Sequence, residues 1–325
     1  MPTTKGRGTG KRQVLAFGEI LWDLLPSGPA LGGAPFNFAC RIHSLGEAVG
    51  FVSRVGEDDL GREAARQLRE LGLRDEWLQW DPALPTGAVE VQVAADGSPD
   101  FTILPNRAYD AIELTPALAR LAEKADCFCF GTLIQRSPRS RETLYQLLEA
   151  ARGAVRLLDV NLRRGCYTRE TVEASLKRAT LLKLNEEEIE TVARIAGVPA
   201  TPPDRFARAI LERADLEGCV VTLGPRGALA VSRSEGPVYE PGRKVKVVDT
   251  CGAGDAFTAG FAHGWLVGEP LAVCCALGNV LGALAAAVPG GTAPIPAERL
   301  QESLSDRAGD RNIDPRFAPL RADIP

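Results

Sequence analysis

The sequence predicts an α/β fold in which helices cover both faces of a mostly parallel sheet. Short apolar runs of strand length alternate with longer segments whose apolar residues recur at helical spacing. This alternation is typical of parallel sheets, whose strands are buried on both faces. Residues 86–104 depart from it, because apolar residues there recur with a period of two around Asp96-Gly97. That pattern predicts a β-hairpin, either at an edge of the main sheet or as a small β-sheet lid over a substrate.

The elements follow in chain order. Runs that predict buried strands are Val14–Gly18, Val49–Val55, Cys127–Gly131, Val155–Val160, Leu181–Leu184 and Cys219–Leu223. Segments with one apolar face that predict helices are Leu60–Leu71, Arg139–Ala151, Arg169–Ala179, Glu186–Ala196 and Pro203–Ala214. Asp255–Val267 and Leu271–Val288 are apolar or small almost throughout, so we expect helices buried on most sides. In such folds ligands bind beyond the carboxyl ends of the strands.

The domain organisation follows from the same patterning. We expect a disordered N-terminus over residues 1–12, because this stretch is polar and basic with no apolar segment. A single domain then spans 13–302, with the β lid inserted around 77–110. Residues 303–325 become polar, which predicts a loosely held C-terminal tail.

Composition narrows the class of function. The chain has 325 residues, 45% of them hydrophobic, and a net charge of −4, so it has no basic surplus for nucleic acid. No apolar run reaches the ~18 residues of a membrane span, and no signal peptide is recognisable, so we expect a cytoplasmic protein. The eight cysteines include no Cys-x-x-Cys pair, and there are only two histidines, so reduced thiols are expected rather than a zinc site.

The segment from Asp249 to Phe257 carries the strongest chemical signal. Its Gly252-Ala253-Gly254 turn lies between a β-branched run and an apolar helix. Glycines let main-chain N–H groups converge, and a helix start adds partial positive charge, so the turn suits an anion such as a transferring phosphoryl group. Asp255 beside it could accept a proton from an attacking hydroxyl, or could simply cap the helix. Neither a Walker A loop nor a dinucleotide fingerprint is present.

Several motifs resemble, in order, those of the ribokinase-like (PfkB) carbohydrate kinases. They are Gly32-Gly33-Ala34-Pro35-Phe36-Asn37, Val52–Gly56 with Asp58, Asp59 and Gly61, Asp159-x-Asn161-x-Arg163, Asn185-x-x-Glu188, Val221–Gly224 with Gly227, and Asp249–Asp255. The resemblance covers roughly residues 13–300 and implies a ribokinase-like fold and an ATP-dependent phosphotransferase acting on an alcohol group of a sugar.

The resemblance also implies roles for residues. Asp255 would be the catalytic base, with the N–H groups of Gly252, Ala253 and Gly254 stabilising the phosphoryl oxygens. Mg²⁺ would offset the charge of ATP, organised through water by Glu188 beside Asn185, although Glu186–Glu188 could equally be an acidic helix start. The remaining candidates are Asp23, Gly33, Asn37 and Arg163 for the sugar, Asn185, Thr222, Gly224, Gly227 and Asn279 for the nucleotide, and Asp249 for K⁺. Asn279 could instead form core hydrogen bonds, and Arg163 could form a surface salt bridge.

The choice of sugar rests on the N-terminal motifs. Gly18–Pro26 and Gly33-Ala34-Pro35 look closest to the fructokinase branch, whereas Tyr109 and Phe36 depart from its pattern. A 2-keto-3-deoxygluconate kinase is the alternative, since Arg107, Arg136 and Arg164 could meet a substrate carboxylate. A non-catalytic sugar- or nucleoside-binding regulator on the same scaffold is a different class, which the intact Gly-Ala-Gly-Asp disfavours. Lid hairpins of the family that this chain resembles often pair between subunits, and the apolar alternation over 89–103 fits that arrangement, so the resemblance implies a homodimer formed through the lid.

Overall fold

The structure, a computed structural model, describes residues 10–25, 28–93, 99–306 and 310–321. The N-terminal residues 1–9, the Asp96-Gly97 turn and the last four residues lie outside the described part of the chain. Arg12, placed in the expected disordered N-terminus, donates its backbone N–H to Glu47 Oε2 at 2.6 Å.

The strands agree closely with the apolar runs. Their bounds are β1 Gln13–Phe17, β2 Leu21–Leu25, β3 Gly28–Gly32, β4 Ala48–Gly56, β5 Leu78–Asp81, β6 Gly87–Val93, β7 Pro99–Ile103, β8 Cys127–Phe130, β9 Val155–Asp159, β10 Leu181–Asn185, β11 Gly218–Thr222, β12 Ala228–Ser232, β13 Val238–Glu240, β14 Gly242–Arg243 and β15 Arg311–Asn312. Each of the six runs that predict buried strands contains a strand of the main sheet, displaced by no more than a residue at either end.

The helices fill the intervals between strands. Their bounds are α1 Ala34–Ser44, α2 Asp59–Glu70, α3 Pro116–Glu123, α4 Pro138–Ala150, α5 Arg169–Leu176, α6 Ile189–Ala196, α7 Pro203–Arg213, α8 Ala253–Val267, α9 Leu271–Ala286 and α10 Ala297–Ser305. The helix expected over 186–196 begins as a short 3-10 turn, Glu186–Glu188, before α6. No described helix has both the length and the apolar character that a membrane crossing needs.

The main sheet has nine strands in the order β13-β12-β11-β10-β9-β8-β1-β4-β5. All neighbours are parallel except at β12, which is antiparallel to both β11 and β13. Successive residues of β1 point to opposite faces, so Leu15 and Phe17 join one buried cluster while Val14 and Ala16 join another. Helices on both faces bury the sheet, which confirms the predicted layers.

The lid is a separate four-stranded sheet in the order β3-β2-β6-β7. The predicted hairpin is present, since β6 pairs antiparallel with β7 and Val89 lies opposite Ile103. The other half comes from residues 21–32, where β2 pairs antiparallel with β3 and parallel with β6. The lid is therefore built from two separate stretches of the chain. Strand β5 lies within residues 77–110, the expected insertion, but it belongs to the main sheet.

The chain after α10 packs back onto the domain where it is described. Phe317 is 2% exposed and its ring lies 5.7 Å from that of Tyr239, centroid to centroid. The Tyr239 hydroxyl accepts a hydrogen bond from Asp314 N at 2.7 Å and donates one to Arg226 O, also at 2.7 Å. Residues 310–321 are thus held in place, in contrast to the loose tail expected from their polarity.

Candidate active site

The candidate residues gather where the strands of the main sheet end. Asp159 ends β9, Asn185 ends β10 and Thr222 ends β11, and these strands are neighbours in the sheet. The start of α8, with the glycine turn, lies over the same edge, since Thr258 contacts Asp159. This arrangement agrees with the expectation that the chemistry lies beyond the carboxyl ends of parallel strands.

The glycine turn precedes α8 and requires glycine at its first position. Gly252 has a φ of 72°, and a Cβ atom there would lie 2.5 Å from Gly291 Cα, so a larger residue would meet main chain. Gly254, two residues later, is exposed. Of the predicted donors, the N–H of Ala253 already donates to Thr250 O at 3.2 Å, so it is engaged within the turn. Gly252 and Gly254 remain the candidate donors to an anion at this helix start.

Asp255 lies in the first turn of α8 and is 9% exposed. Its Oδ2 accepts a hydrogen bond from Asn37 Nδ2 at 2.9 Å, which brings two predicted site residues from distant parts of the chain together. Burial raises the pKa of Asp255 to about 6, helped by the charge of Asp159 and opposed by the Asn37 hydrogen bond and by Lys183 and Arg163. A carboxylate with this pKa is mostly ionised at neutral pH and can accept a proton.

A buried ion pair lies beneath the turn, and sequence reasoning did not identify either partner as a site residue. Lys183 Nζ lies 3.0 Å from Asp159 Oδ1, and a Cβ on Gly254 would lie 3.5 Å from the same Nζ. Thr258 Oγ1 lies 2.7 Å from Asp159 Oδ2 and 2.9 Å from Gly254 O. Burial lowers the pKa of Lys183, but Asp159, Glu188 and Asp255 together outweigh it, so the pKa is raised and the ammonium stays charged.

A second buried carboxyl, Glu19, was also missed. It follows β1, is 5% exposed, and lines a narrow cavity that Asp159 and Asn161 also line. Burial raises its pKa to about 7, opposed by its own backbone N–H and Arg163, while Asp255 adds to the rise. The sequence feature that could have identified Glu19 is its position, as a charged residue directly after a predicted apolar strand.

Arg163 lies among the acidic groups of the site. Its charge acts on Glu19, Asp23 and Asp255, lowering the pKa of each against the effect of burial. Asn161, two residues earlier, has a φ of 42°, a left-handed conformation that is uncommon for a residue with a side chain and recurs at functional sites. Arg163 itself is exposed.

The predicted sugar-binding residues come from the lid and from the main domain. Asp23 lies on β2 of the lid, where a Cβ on Gly32 would lie 3.5 Å from its Oδ2, and burial raises its pKa. Gly33 has a φ of 116°, and a Cβ there would lie 2.5 Å from Glu19 O. Glycine is therefore required at position 33 by the fold of the main chain itself.

The predicted nucleotide residues lie on β10, β11 and the loop that follows. Asn185 and Thr222 are register partners on adjacent strands. Asn185 Oδ1 accepts the N–H of Glu188 at 3.0 Å while Glu188 Oε2 accepts the N–H of Asn185 at 2.8 Å, a reciprocal capping box. Gly224 and Gly227 have φ values of 59° and 98°, and a Cβ on Gly227 would lie 2.1 Å from Glu240 O.

Asn279 forms the core hydrogen bonds that were the alternative to nucleotide binding. Its Nδ2 donates to Glu240 O at 2.9 Å and to Pro241 O at 3.2 Å, and the residue is 8% exposed. It therefore shapes the turn after β13, and a direct contact with the nucleotide stays a prediction.

The candidate metal residues differ in their surroundings. Glu188 Oε1 accepts Leu162 N at 2.7 Å in addition to the capping box, and burial raises its pKa. Asp249 Oδ1 accepts Cys251 N and Oδ2 accepts Gly290 N, each at 2.9 Å. Across the described ranges, no group of three or more His, Cys, Asp or Glu side chains could hold a metal ion. The single carboxylate of Glu188 is compatible with Mg²⁺, because this ion usually keeps several waters and binds through one or two carboxylates together with phosphate oxygens of the substrate.

Comparison with known sequences identifies the family. Residues 29–298 match the pfkB family carbohydrate kinases. A fructokinase of Klebsiella pneumoniae is 30% identical over 315 residues, covering 90% of this chain and 99% of its own. A 2-dehydro-3-deoxygalactonokinase of Haloferax volcanii is 30% identical over 328 residues, covering 93% of this chain and 99% of its own.

Comparison with solved structures gives the same fold. An uncharacterized sugar kinase of Pyrococcus horikoshii, crystallised in complex with ATP, superimposes with a TM-score of 0.73 and 27% sequence identity. The match covers 89% of this chain and 99% of that one. The ribokinase-like architecture expected from the motifs is confirmed.

Proposed function

Because this chain belongs to the pfkB family of carbohydrate kinases and is a sugar phosphotransferase, we propose that it transfers the γ-phosphoryl group of ATP to a hydroxyl of fructose. The observation that carries the proposal is the buried Asp255, hydrogen-bonded to Asn37 and placed one residue after the exposed Gly254. A base and an anion-binding turn that adjoin each other are what in-line transfer to an alcohol requires.

The proposed reaction uses the chain's own groups as follows. The sugar hydroxyl oxygen attacks the γ-phosphorus, its proton passes to Asp255, and the bond from the γ-phosphorus to the bridging oxygen of ADP breaks. The N–H groups of Gly252 and Gly254 stabilise the charge on the transferring group. Lys183, beneath Gly254, adds positive charge there and also limits the pKa rise of Asp255.

We further propose the remaining ligand contacts. Asp23, Gly33, Asn37 and Arg163 would hold the sugar, and Asn185, Thr222, Gly224, Gly227 and Asn279 would line the nucleotide. Glu188 would organise Mg²⁺ through water, and the ion would neutralise the triphosphate when bound. Asp249 would support K⁺ near the turn. Assays with Mg²⁺ omitted, and with KCl replaced by choline chloride, test the two cations, since undiminished turnover would contradict the corresponding site.

Fructose is favoured over an acidic sugar by the charges around Arg163. The charge of Arg163 acts on both Asp23 and Glu19, so a substrate carboxylate that met this arginine would enter beside acidic groups. Arg136, a cation that could serve such a substrate, is already paired with Asp110 at 2.8 Å. The Haloferax volcanii relative supports the alternative, a 2-keto-3-deoxygluconate kinase, because that protein is named for an acidic sugar.

An ADP-release assay across fructose, 2-keto-3-deoxygluconate, ribose, adenosine and inositols tests the proposal. We expect the highest kcat/KM with fructose. The Asp255→Asn variant should keep ATP and sugar binding but lose ~10²- to 10⁴-fold in kcat, the usual share of a positioned base. Near-normal turnover of that variant would refute the role of Asp255, and preference for the acidic sugar would refute fructose.

A cytoplasmic location is proposed from the thiols. All eight cysteines are free, and seven of them are buried. Unpaired cysteines are typical of reducing compartments.

A further inference from the structure

A buried arginine on α1 has no counterpart in the mechanism above. Arg41 is 2% exposed and forms no ion pair with a carboxylate of the described residues. Burial lowers the pKa of its guanidinium, and the nearby Cys40 and Asp255 act in the opposite direction. Removing a charge from water without a carboxylate partner is costly, so a buried cation of this kind calls for a reason.

The guanidinium is bound by main chain instead. Its Nη1 donates to Ala293 O at 2.6 Å and its Nη2 donates to Gly291 O at 2.8 Å. Both carbonyls belong to the loop after α9, which we call the brace loop, residues 290–293. A planar guanidinium holds two carbonyls in a fixed relative geometry, which a flexible amine does less well.

The brace loop lies against three parts of the candidate site: the glycine turn, Asn37 and Asp249. A Cβ on Gly252 would lie 2.5 Å from Gly291 Cα, so the loop lies against the glycine turn. A Cβ on Gly291 would lie 2.7 Å from the side-chain amide of Asn37, the residue that hydrogen-bonds Asp255. Gly290 N donates to Asp249 Oδ2, and Asp249 Oδ1 in turn accepts Cys251 N from the turn.

We propose that Arg41 is a positioning residue, which fixes the brace loop and thereby aligns the Gly252–Gly254 turn with Asp255. The inference deepens the proposed function and rests on it. Arg41 itself does not contact the reacting atoms; it acts through Gly291. Because small displacements of a base or of an anion-binding donor are costly to catalysis, its loss should act on kcat rather than on ligand binding.

The primary test is Arg41→Met, a change that keeps side-chain volume and removes the charge and the donors. We expect kcat for the best sugar to fall ~10- to 100-fold, with KM for ATP and sugar within ~3-fold of wild type. Arg41→Lys keeps the charge and should recover part of the loss. The control is Ile210→Ala, a fully buried core change in α7, which should lower Tm and leave kcat unaltered.

Hydrogen exchange gives a readout that does not depend on activity. Amides in peptides covering 249–256 and 288–296 should exchange faster in Arg41→Met than in wild type, while peptides from α4 and α7 should not change. If the wild type phosphorylates none of the sugars, the proposed function fails, yet exchange still decides the role of Arg41. Unchanged exchange in both peptides, or wild-type kcat in a folded Arg41→Met, overturns the inference.

A second variant covers the case in which Arg41→Met does not fold. Gly291→Ala keeps Arg41 and introduces a methyl group against Asn37, so it disturbs the same connection from the other side. We expect the same selective loss of kcat. Wild-type kcat in a folded Gly291→Ala would contradict the proposal.

Discussion

At the scale of residues, the hydrogen bond from Asn37 bears on the pKa of Asp255, the proposed catalytic base. Burial raises the Asp255 pKa to about 6, whereas the Asn37 bond favours the ionised form and lowers it. Charged groups that interact with Asp255 include Asp159, Lys183, Arg163, Glu19 and Arg41. The base loses activity when protonated, so kcat should fall as the pH drops through about 6.

Asn37→Ala removes the favourable bond and should move this acid limb to higher pH. A neutral hydrogen bond is worth about 1 kcal/mol, so we expect a displacement of roughly half to one pH unit. The measurement is kcat at saturating sugar and ATP from pH 5 to 9. Glu19→Gln serves as the control, because Glu19 is a second buried carboxyl with a pKa raised to about 7. A limb that moves only in Glu19→Gln would assign it to Glu19 instead.

The residues that sequence reasoning found are those whose spacing is local. Gly252, Gly254 and Asp255 lie within one turn, so their pattern is visible along the chain. Lys183 and Asp159 were missed as a pair, because they are register partners on adjacent strands, and register depends on the whole sheet. Asn37 and Asp255 are 218 positions apart, so only the motif resemblance connected them before the structure did.

At the scale of elements, the C-terminal segment is attached to the predicted nucleotide loop. Asp314 is 2% exposed and its Oδ2 accepts hydrogen bonds from Arg226 and Arg316, each at 2.7 Å. Both arginines also bind Glu186, which follows Asn185 directly. Hydrogen bonds from Arg316 lower the pKa of Asp314 to about 2, so the network stays ionised at neutral pH.

Asp314→Ala should therefore weaken ATP binding selectively. The variant leaves Arg226, in the loop between Gly224 and Gly227, with Glu186 as its carboxylate partner. We therefore expect a less rigid loop and a KM for ATP that rises ~3- to 10-fold, a change of about 1 kcal/mol. KM for the sugar should stay near wild type. Glu298→Ala, which removes an exposed carboxylate from α10, is the matched control. Equal increases in both KM values would contradict a local effect on the nucleotide side.

The elements that escaped prediction lack a clear period. In α1 every residue from Pro35 to Ile42 is buried, so no polar face marks it as a helix, and it begins without a side-chain cap. Strands β2 and β3 are five residues each, and β3 contains Gly28, Pro29 and Gly32, which signal a loop. Buried strands of the main sheet were predictable because their apolar runs are continuous.

At the scale of the whole molecule, no described strand pairs with the outer edges of the lid. In the order β3-β2-β6-β7, the outer strands are β3 and β7, and Leu24 on β2 is 37% exposed. Unpaired strand edges are prone to pair with another chain. We therefore expect a homodimer formed through the lid.

Light scattering at micromolar concentration measures the predicted homodimer directly. The Leu24→Glu variant should shift the mass toward the monomer, because it introduces charge on the exposed lid face. Trp80→Glu, at an exposed position on β5 of the main sheet, is the control that should not. A wild-type mass equal to that of one chain would remove the prediction.

The construction of the lid from two stretches has a consequence for how water is kept from reacting. Strand β1 belongs to the main sheet, and β2, which follows it, belongs to the lid. Asp23 therefore lies in the lid, whereas Asp255 lies at the start of α8 in the main domain. If Asp23 binds the acceptor as proposed, the acceptor must contact the lid and the main domain at the same time for its hydroxyl to reach the base. Water cannot make a second contact with the lid while it presents its oxygen to the base, so it would be disfavoured as an acceptor of the phosphoryl group.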